Sequence, residues 1–493
     1  MNNDSKMPVV LIGNSFKYEI EATLKLFFNT ARFAFCTERN EINNERYIVA
    51  EVISNSDPSS FSIEVCLNDK PYTTRSEAHP EKLEHEMCRT LFHMLCDITG
   101  IRPPWGIMTG IRPVKKVTEL INKGMNKEEI RKELIDRFEL QNDKFELAYK
   151  TAENQLPILE KIDHSAASLY VSIPFCPTRC SYCSFVSHSM DSAKKLMPEY
   201  ISSLCKELEI IGKIVKETDT KIDTIYFGGG TPTSISASEL QAVMETVEKN
   251  FDLGSIREYS VEAGRPDTIT EDKLRVIKEL GASRISVNPQ TLNDDVLRVI
   301  GRQHSCEDAI RAFELARRLG FDNINTDLIA GLPTESAESF KNTLDRICEI
   351  SPESITVHTL TLKRSADLFA SSIDNTKNPA TEMVDYSIEK LIGCGYLPYY
   401  MYRQKNTIDN LENVGYAKKG FESWYNIFIM DETQTILGAG CAASTKLVYP
   451  NGLINRIHNF KFPYEYINRF DELMEKKTEV IECLKKIKSI ELK

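Results

Sequence analysis

Tyr170-Val-Ser-Ile-Pro-Phe-Cys-Pro-Thr-Arg-Cys-Ser-Tyr-Cys-Ser-Phe185 joins a short apolar strand, Leu169 to Ile173, to a long helical stretch that starts near Asp191. Within it, Cys176, Cys180 and Cys183 form a C-x3-C-x2-C run. Three thiolates so close together on a strand-to-helix loop can hold three corners of a [4Fe–4S] cube. The fourth iron would then lack a protein ligand, which predicts a reactive site open to a small molecule.

Two other kinds of site use closely spaced cysteines. A zinc site needs a fourth ligand, and none stands nearby at matching spacing. A disulfide framework is typical of exported proteins, but the start of the chain, Met1-Asn-Asn-Asp-Ser-Lys6, has no basic region followed by an apolar one. From the loop alone both alternatives stay open, and the iron–sulfur cluster is favoured over them.

Composition narrows the class of protein. A chain of 493 residues predicts two or three domains. The net charge of −11, from 61 basic and 72 acidic residues, argues against broad binding to nucleic acid or anionic membranes. No apolar run reaches about 18 residues, so we expect no membrane span. We therefore expect a cytoplasmic protein, in which most of the 13 cysteines are small core residues.

Residues 1–163 are predicted to form an N-terminal α+β accessory domain. Its predicted strands are Pro8–Ile12, Tyr47–Ile53 and Phe61–Leu67; its predicted helices are Glu84–Thr99, a pair over Val117–Phe138 broken at Gly124, and Lys144–Ile162. Four cations cluster near the Gly- and Pro-rich stretch 100–114: Arg102, Arg112, Lys115 and Lys116. They indicate either an anion or partner site or, as we favour, a solvated positive face.

Residues 164–379, together with the first helix of the tail, alternate short apolar strands with helical patterns, which predicts a parallel sheet with right-handed crossovers. The predicted strands are 169–173, 223–227, 258–262, 283–287, 324–329 and 354–358; the predicted helices are 191–216, 236–250, 270–280, 292–300 with 306–319, 335–350 and 380–394. Six such units predict an α/β fold, a partial (β/α)6 TIM-like barrel, with ligand sites at the carboxyl ends of its strands.

Polar and glycine residues stand at those strand ends. Tyr226-Phe-Gly-Gly-Gly-Thr-Pro-Thr233 closes one strand, and its glycines permit a tight turn, close approach of a ligand and anion binding by backbone amides. Glu262 ends the next strand, where it is either a solvated edge residue or a ligand contact. Asp327 lies inside an apolar strand, so its charge needs a partner.

The C-x3-C-x2-C run followed by Gly-Gly-Gly-Thr-Pro resembles the signature of radical S-adenosylmethionine (SAM) enzymes. The fuller patterns are Y-x-x-I-P-F-C-x3-C-x-Y-C over residues 170–183 and G-G-G-T-P-T over residues 228–233. They are similar to those of the oxygen-independent coproporphyrinogen III oxidase group among these enzymes. That resemblance implies a [4Fe–4S] cluster on the three cysteines and one or two SAM molecules. It further implies two sets of SAM contacts: Tyr170, Gly228, Gly229, Thr231 and Glu262 around the first, and Tyr182, Gln290, Arg302 and Asp327 around a second. Thr361 resembles a further contact more loosely.

Residues 380–493 are predicted to form a small C-terminal α+β domain. The tail contains Tyr402-Arg-Gln-Lys-Asn406 and Asn413-Val-Gly-Tyr416. With these stretches and the long N-terminal domain, the chain most resembles HemZ-type coproporphyrinogen dehydrogenases. Its stretch Thr435-Ile-Leu-Gly-Ala-Gly-Cys-Ala-Ala-Ser444 packs small residues together. Such a stretch either lets the backbone approach a flat ligand or makes a tight turn against the core.

The resemblance implies oxidative decarboxylation of coproporphyrinogen III to protoporphyrinogen IX, with electrons from a donor such as a flavodoxin or ferredoxin. Substrate carboxylates favour cationic partners, and the candidates are Arg265, Arg364 and Arg403. Two departures, Phe185 in place of a further cysteine and Ser172 in place of histidine, weaken the substrate assignment.

The alternatives are a haem-binding chaperone of the same family and a radical SAM enzyme with another substrate. Against the chaperone, its H-N-x-x-Y-W signature is absent from Trp424-Tyr-Asn-Ile-Phe428.

Overall fold

The computed structural model describes residues 6–29, 31–42, 46–67, 69–110, 112–184, 188–361 and 378–491. The chain divides into two compact units, one comprising Met1–Tyr149 with Arg403–Leu411 and the other Lys150–Tyr402 with Glu412–Lys493. The division into three domains at 163 and 379 stays a prediction. Among the described residues, no helix combines the length and apolar character that a bilayer crossing requires.

The first unit is built on a five-stranded sheet in the order β2-β1-β3-β4-β5. Its strands are β1 (Met7–Ile12), β2 (Phe33–Cys36), β3 (Tyr47–Ser54), β4 (Ser59–Leu67) and β5 (Lys70–Ala78); its helices are α1 (Lys17–Lys25), α2 (Leu83–Thr99), α3 (Pro113–Asn122), α4 (Lys127–Phe138) and α5 (Asn142–Leu159), the last of which continues into the second unit. Helix α2 covers the sheet because Met87, Leu91 and Leu95 recur on one buried face.

The predicted strands and helices of this unit are confirmed, apart from their end residues. The predictions missed β2, α1 and β5. Strand β5 is polar and exposed along most of its length because it lies at the sheet edge, so it lacks the apolar alternation that marks a strand. In the basic cluster, Arg102 pairs with Glu139 at 3.5 Å and Lys116 with Glu119 at 3.7 Å. These pairs favour the solvated positive face.

The second unit contains the predicted partial barrel. Strands β6 (Ala167–Ile173), β9 (Ile222–Gly229), β10 (Glu258–Gly264), β11 (Arg284–Val287), β12 (Ile324–Ala330) and β13 (Ser354–Thr359) lie side by side in chain order, all parallel; a short pair, β7 (Phe175–Cys176) and β8 (His188–Ser189), follows β6. The helices are α6 (Met190–Ala193), α7 (Met197–Glu217), α8 (Ala237–Asn250), α9 (Glu271–Glu279), α10 (Asp294–Val299), α11 (Cys306–Arg318), α12 (Ala337–Ile350) and α13 (Ala380–Gly393). The predicted α/β barrel architecture is therefore confirmed.

The tail extends the same sheet at both edges. Strands β14 (Leu397–Arg403) and β15 (Glu412–Ala417) lie beyond β13, and β16 (Thr435–Ala439), β17 (Ser444–Val448) and β18 (Ile454–His458) lie beyond β6. The remaining helices are α14 (Trp424–Asp431), α15 (Pro463–Asn468) and α16 (Phe470–Glu491). The small-residue stretch is a tight turn against the core, since a Cβ on Gly440 would stand 2.5 Å from the Ser172 carbonyl oxygen.

A buried ion pair ties this tail to the barrel helices. Lys477 on α16 and Glu207 on α7 lie 3.0 Å apart with side chains at most 1% exposed. Glu207 also accepts hydrogen bonds from the Gly440 amide at 2.7 Å and the Tyr466 hydroxyl at 2.6 Å. A buried carboxylate with this many donors is satisfied only while the tail is docked.

Candidate functional site

The cysteine loop is closed at its base by the β7–β8 pair, in which Phe175 faces His188 and Cys176 faces Ser189. Two backbone bonds from the neighbouring glycine-rich strand end hold the start of the loop: Gly230 donates to the Ile173 carbonyl and Thr231 to the Phe175 carbonyl, each at 2.8 Å. The first cysteine therefore lies directly at the carboxyl end of β6, as the sequence predicted.

The rest of the loop is anchored to the segment after α10. The Thr178 hydroxyl donates to the Gly301 carbonyl at 3.0 Å, and the Ser181 amide donates to the Ile300 carbonyl at 3.1 Å. Cys180 is buried, and Cys176 and Cys183 are half-buried. Each of the 13 cysteines lies in the described part of the chain and none forms a disulfide, so the disulfide alternative is not realised.

The donor chemistry of the loop fits an iron–sulfur cube. Within the described ranges, no three His, Cys, Asp or Glu side chains are placed to hold a metal ion. A cube needs no such convergence, because each thiolate binds a different iron. The Cys176 sulfur lies 3.4 Å from the Thr231 hydroxyl, which therefore bounds the loop on the glycine side. Phe185 lies outside the described residues.

The glycines at the end of β9 make room beside the loop. Gly228 lies in a cradle formed by the side chains of Tyr226, Tyr170 and Glu262, where an added Cβ would stand 3.0 Å from Tyr226 and 3.2 Å from Tyr170. Gly229 has a φ of +107°, which strongly favours glycine. The expectation that these amides bind an anion needs correction in part: the Gly230 and Thr231 amides are already bonded to loop carbonyls.

Glu262 lies at the end of β10, against a stack of three tyrosines. The ring centroids of Tyr170 and Tyr226 are 6.2 Å apart, and those of Tyr226 and Tyr425 are 4.4 Å apart. The Tyr226 hydroxyl donates to Glu262. Burial raises the pKa of Glu262 to about 7, although the Tyr226 bond lowers it; the nearby Asp327 charge raises it further. Sequence reasoning missed Tyr425, which α14 supplies from the tail.

The second predicted set also meets at this mouth. Buried Arg302 donates to the Asn288 carbonyl at 2.6 Å and to the Tyr182 hydroxyl at 3.1 Å. Gln290 has a φ of +72°, and its backbone amide donates to the backbone carbonyl of Asp327 at 3.1 Å. This unusual conformation places Gln290 against β12 as an isolated bridge opposite Leu328. The Asp327 backbone amide also donates to the Asn288 side-chain oxygen at 3.2 Å, so Tyr182, Gln290, Arg302 and Asp327 form one group connected through Asn288.

Asp327 has the partners that its charge requires. The Asn325 side-chain amide donates to it at 2.8 Å, and the His358 imidazole lies 3.8 Å from its carboxylate. Burial alone would raise the pKa of Asp327, but hydrogen bonding and charge from His358 and Asn325 hold it below its ordinary value. His358, on β13, was missed as a site residue. The Thr361 hydroxyl donates to the Thr359 carbonyl at 3.3 Å.

Two of the three arginines predicted for substrate carboxylates are engaged by protein groups. Arg265 is buried with its guanidinium turned to the cysteine loop and to Asp267. Arg403 belongs to the first unit, where its side chain donates to the Met108 carbonyl and lies over the Trp105 ring. Arg364 falls outside the described residues. Neither Arg265 nor Arg403 is therefore presented to a substrate in this state.

Residues 170–347 match the model of the radical SAM superfamily. The chain is 40% identical over 421 residues to the oxygen-independent coproporphyrinogen-III oxidase-like protein HemZ of Bacillus subtilis, which covers 84% of this chain and 83% of that protein. It is 31% identical over 281 residues to the haem chaperone HemW of the same organism, and this match covers 55% of this chain and 69% of that protein.

A solved structure, the HemN coproporphyrinogen III oxidase of Escherichia coli, superposes with a TM-score of 0.50 at 23% identity, over 65% of this chain and 72% of that one, and supports the fold. The chain therefore belongs to the oxygen-independent coproporphyrinogen III oxidase-like family of radical SAM proteins. The family implies a [4Fe–4S] cluster and SAM.

Proposed function

We propose that this protein oxidatively decarboxylates coproporphyrinogen III to protoporphyrinogen IX without oxygen, using a [4Fe–4S] cluster and SAM. The observation that carries the proposal is the 40% identity over 84% of the chain to the oxidase-like HemZ protein, together with three cysteines at the mouth of the barrel. When bound, the reduced cluster and SAM supply one-electron carbon–sulfur bond cleavage and hydrogen-atom abstraction.

The chain's own residues would bind and orient the cofactors. Cys176, Cys180 and Cys183 would hold three irons. The cradle at Gly228 would receive part of SAM next to Tyr170, and Glu262 would accept hydrogen bonds from its hydroxyl or amino groups. The Tyr182, Gln290, Arg302 and Asp327 group would contact a second SAM, as the resemblance to the oxidases implies. The electron donor, a flavodoxin or ferredoxin, stays a prediction.

The substrate step balances without oxygen. Each reacting propionate loses one hydrogen atom, carbon dioxide and one further electron, and a vinyl group remains. Two propionates react, so two SAM molecules are cleaved and two electrons pass to an acceptor. The relative at 40% identity is named a coproporphyrinogen-III oxidase-like protein, which supports this substrate. Ser172 and Phe185, in contrast, differ from the residues at these positions in well-studied oxidases.

A second candidate function is haem binding and transfer, since 31% identity relates the chain to HemW chaperones.

One experiment distinguishes the oxidase from the haem chaperone. Anaerobically reconstituted protein receives SAM, a chemical reductant, an electron acceptor and coproporphyrinogen III, and in a parallel sample haem. Formation of protoporphyrinogen with two 5′-deoxyadenosines per product supports the oxidase. Stoichiometric haem binding without turnover supports the chaperone, and SAM cleavage without porphyrin change indicates another substrate. The C180A variant is the control without turnover.

A further inference from the structure

Arg265 lies where the barrel meets the cysteine loop. It follows Gly264 at the end of β10 and is only 3% exposed. One terminal nitrogen donates to the Thr178 carbonyl at 3.1 Å and to the Thr178 hydroxyl at 2.9 Å, and lies 3.8 Å from the Cys180 sulfur. A buried cation therefore contacts the loop between the first two cysteines.

The other side of the guanidinium is held by Asp267. The Arg265 Nε donates to one carboxylate oxygen at 3.0 Å and the second terminal nitrogen donates to the other at 2.8 Å. This bidentate geometry fixes the plane and direction of the guanidinium. His304 lies behind the pair, 3.8 Å from Asp267, with its side chain fully buried. Burial and the charge of Arg302 lower the pKa of His304 to about 4, so it is neutral near pH 7.

We propose that Arg265 is a positioning residue that orients the cysteine loop and sets the reduction potential of the cluster bound there, with Asp267 as its counter-charge. The inference rests on the cluster of the proposed function and does not depend on the porphyrinogen substrate.

The physical reason is charge. Reduction adds one negative charge to the cluster, and a buried cation beside a ligating sulfur stabilises that form more than the oxidised one. Asp267 opposes part of this effect. Hydrogen bonds to sulfur and local charge are among the main determinants of iron–sulfur potentials. Loss of the Arg265 charge should therefore make the cluster harder to reduce, and loss of the Asp267 charge should make it easier.

The test is a potentiometric titration of the full-length, anaerobically reconstituted protein without SAM. The reduced cluster is monitored during the titration by electron paramagnetic resonance. R265Q should lower the equilibrium constant for reduction about tenfold, equivalent to a negative shift of about 59 mV for a one-electron couple. D267N should shift the potential in the positive direction. R265K keeps the positive charge but not the bidentate geometry of the guanidinium, so its reduction potential should lie between those of R265Q and the wild type. R284K is the matched control, because Arg284 is a buried barrel arginine that contacts Ser354 and the Phe421 carbonyl instead of the loop.

Opposite shifts in R265Q and D267N, with R284K unchanged, support the inference. A purely structural role would disturb the loop in both variants and shift both potentials in the same direction, which overturns it, as does an unchanged potential in R265Q. If R265Q retains no cluster, the opposite-sign comparison is made between R265K and D267N. A wild-type protein that assembles no [4Fe–4S] cluster would instead refute the proposed function.

Discussion

The phenol of Tyr226 donates a hydrogen bond to the carboxyl group of Glu262 across two neighbouring parallel strands, β9 and β10. The bond favours the charged carboxylate, while burial and the Asp327 charge favour the neutral acid, and the pKa of Glu262 settles at about 7. A ligand that donates hydrogen bonds to this carboxyl group would pull the balance toward the charged form.

The first prediction concerns the pH dependence of stability. Because the pKa of Glu262 in the folded protein, about 7, exceeds its ordinary value of 4.5, the folded state holds a proton between these two pH values that the unfolded chain has lost. The stabilisation linked to Glu262 is therefore complete below about pH 4.5 and is lost as the pH rises through about 7. E262Q should gain stability relative to the wild type between pH 5 and pH 8, by at most about 3 kcal/mol, since one pKa unit equals about 1.36 kcal/mol.

Thermal melts of cluster-free wild type and E262Q at both pH values measure this difference. Partial solvent access to the carboxyl group reduces the effect, so about 1 kcal/mol is a realistic lower value. A constant difference in melting temperature across the range would mean that Glu262 titrates normally.

The second prediction concerns the cluster ligands. C176A, C180A and C183A should each lose the broad visible absorption of the reconstituted cluster, because a cube with only two protein ligands is held poorly. C205A is the control, since Cys205 lies on α7 and its sulfur contacts the Ala242 carbonyl. Retention of the full spectrum by any loop variant would exclude that cysteine as a ligand.

Much of the barrel could be predicted from sequence because each unit carries a local pattern, an apolar strand followed by an amphipathic helix. Glu262 and Asp327 could be predicted for a similar reason, since a charge at or within an apolar strand stands out. Tyr425 and His358 could not be predicted, because nothing in the local sequence shows which distant ring packs beside a strand end. The partners of Arg265 were equally hidden: the sequence indicated a candidate partner for substrate carboxylates, whereas the fold buries Arg265 against the cysteine loop and Asp267.

The third prediction concerns the cradle for SAM. G228A places a methyl group 3.0 Å from Tyr226 and 3.2 Å from Tyr170, and 3.3 Å from Glu262. The methyl group and the displaced rings should weaken SAM binding about tenfold, equal to about 1.4 kcal/mol, measured by equilibrium dialysis with reconstituted protein.

G393A is its matched control, because a Cβ on Gly393, at the exposed end of α13, meets nothing within 4 Å. It should leave SAM affinity unchanged and alter stability only slightly. Equal affinity in G228A and the wild type would show that the glycine is needed for packing alone.

The last prediction tests the buried pair that docks the tail. K477M leaves the Glu207 carboxylate buried without its cation, and should lower the free energy of unfolding by about 3–5 kcal/mol in denaturant titrations. K485M, on the same helix α16, removes the exposed Lys485–Glu217 pair, whose side chains are 56% and 53% exposed, and should cost no more than about 1 kcal/mol. The double variant E207Q/K477M should regain part of the loss, since no buried charge then remains unpaired. Similar losses in K477M and K485M would show that the tail is held by its apolar contacts, with the ion pair contributing little.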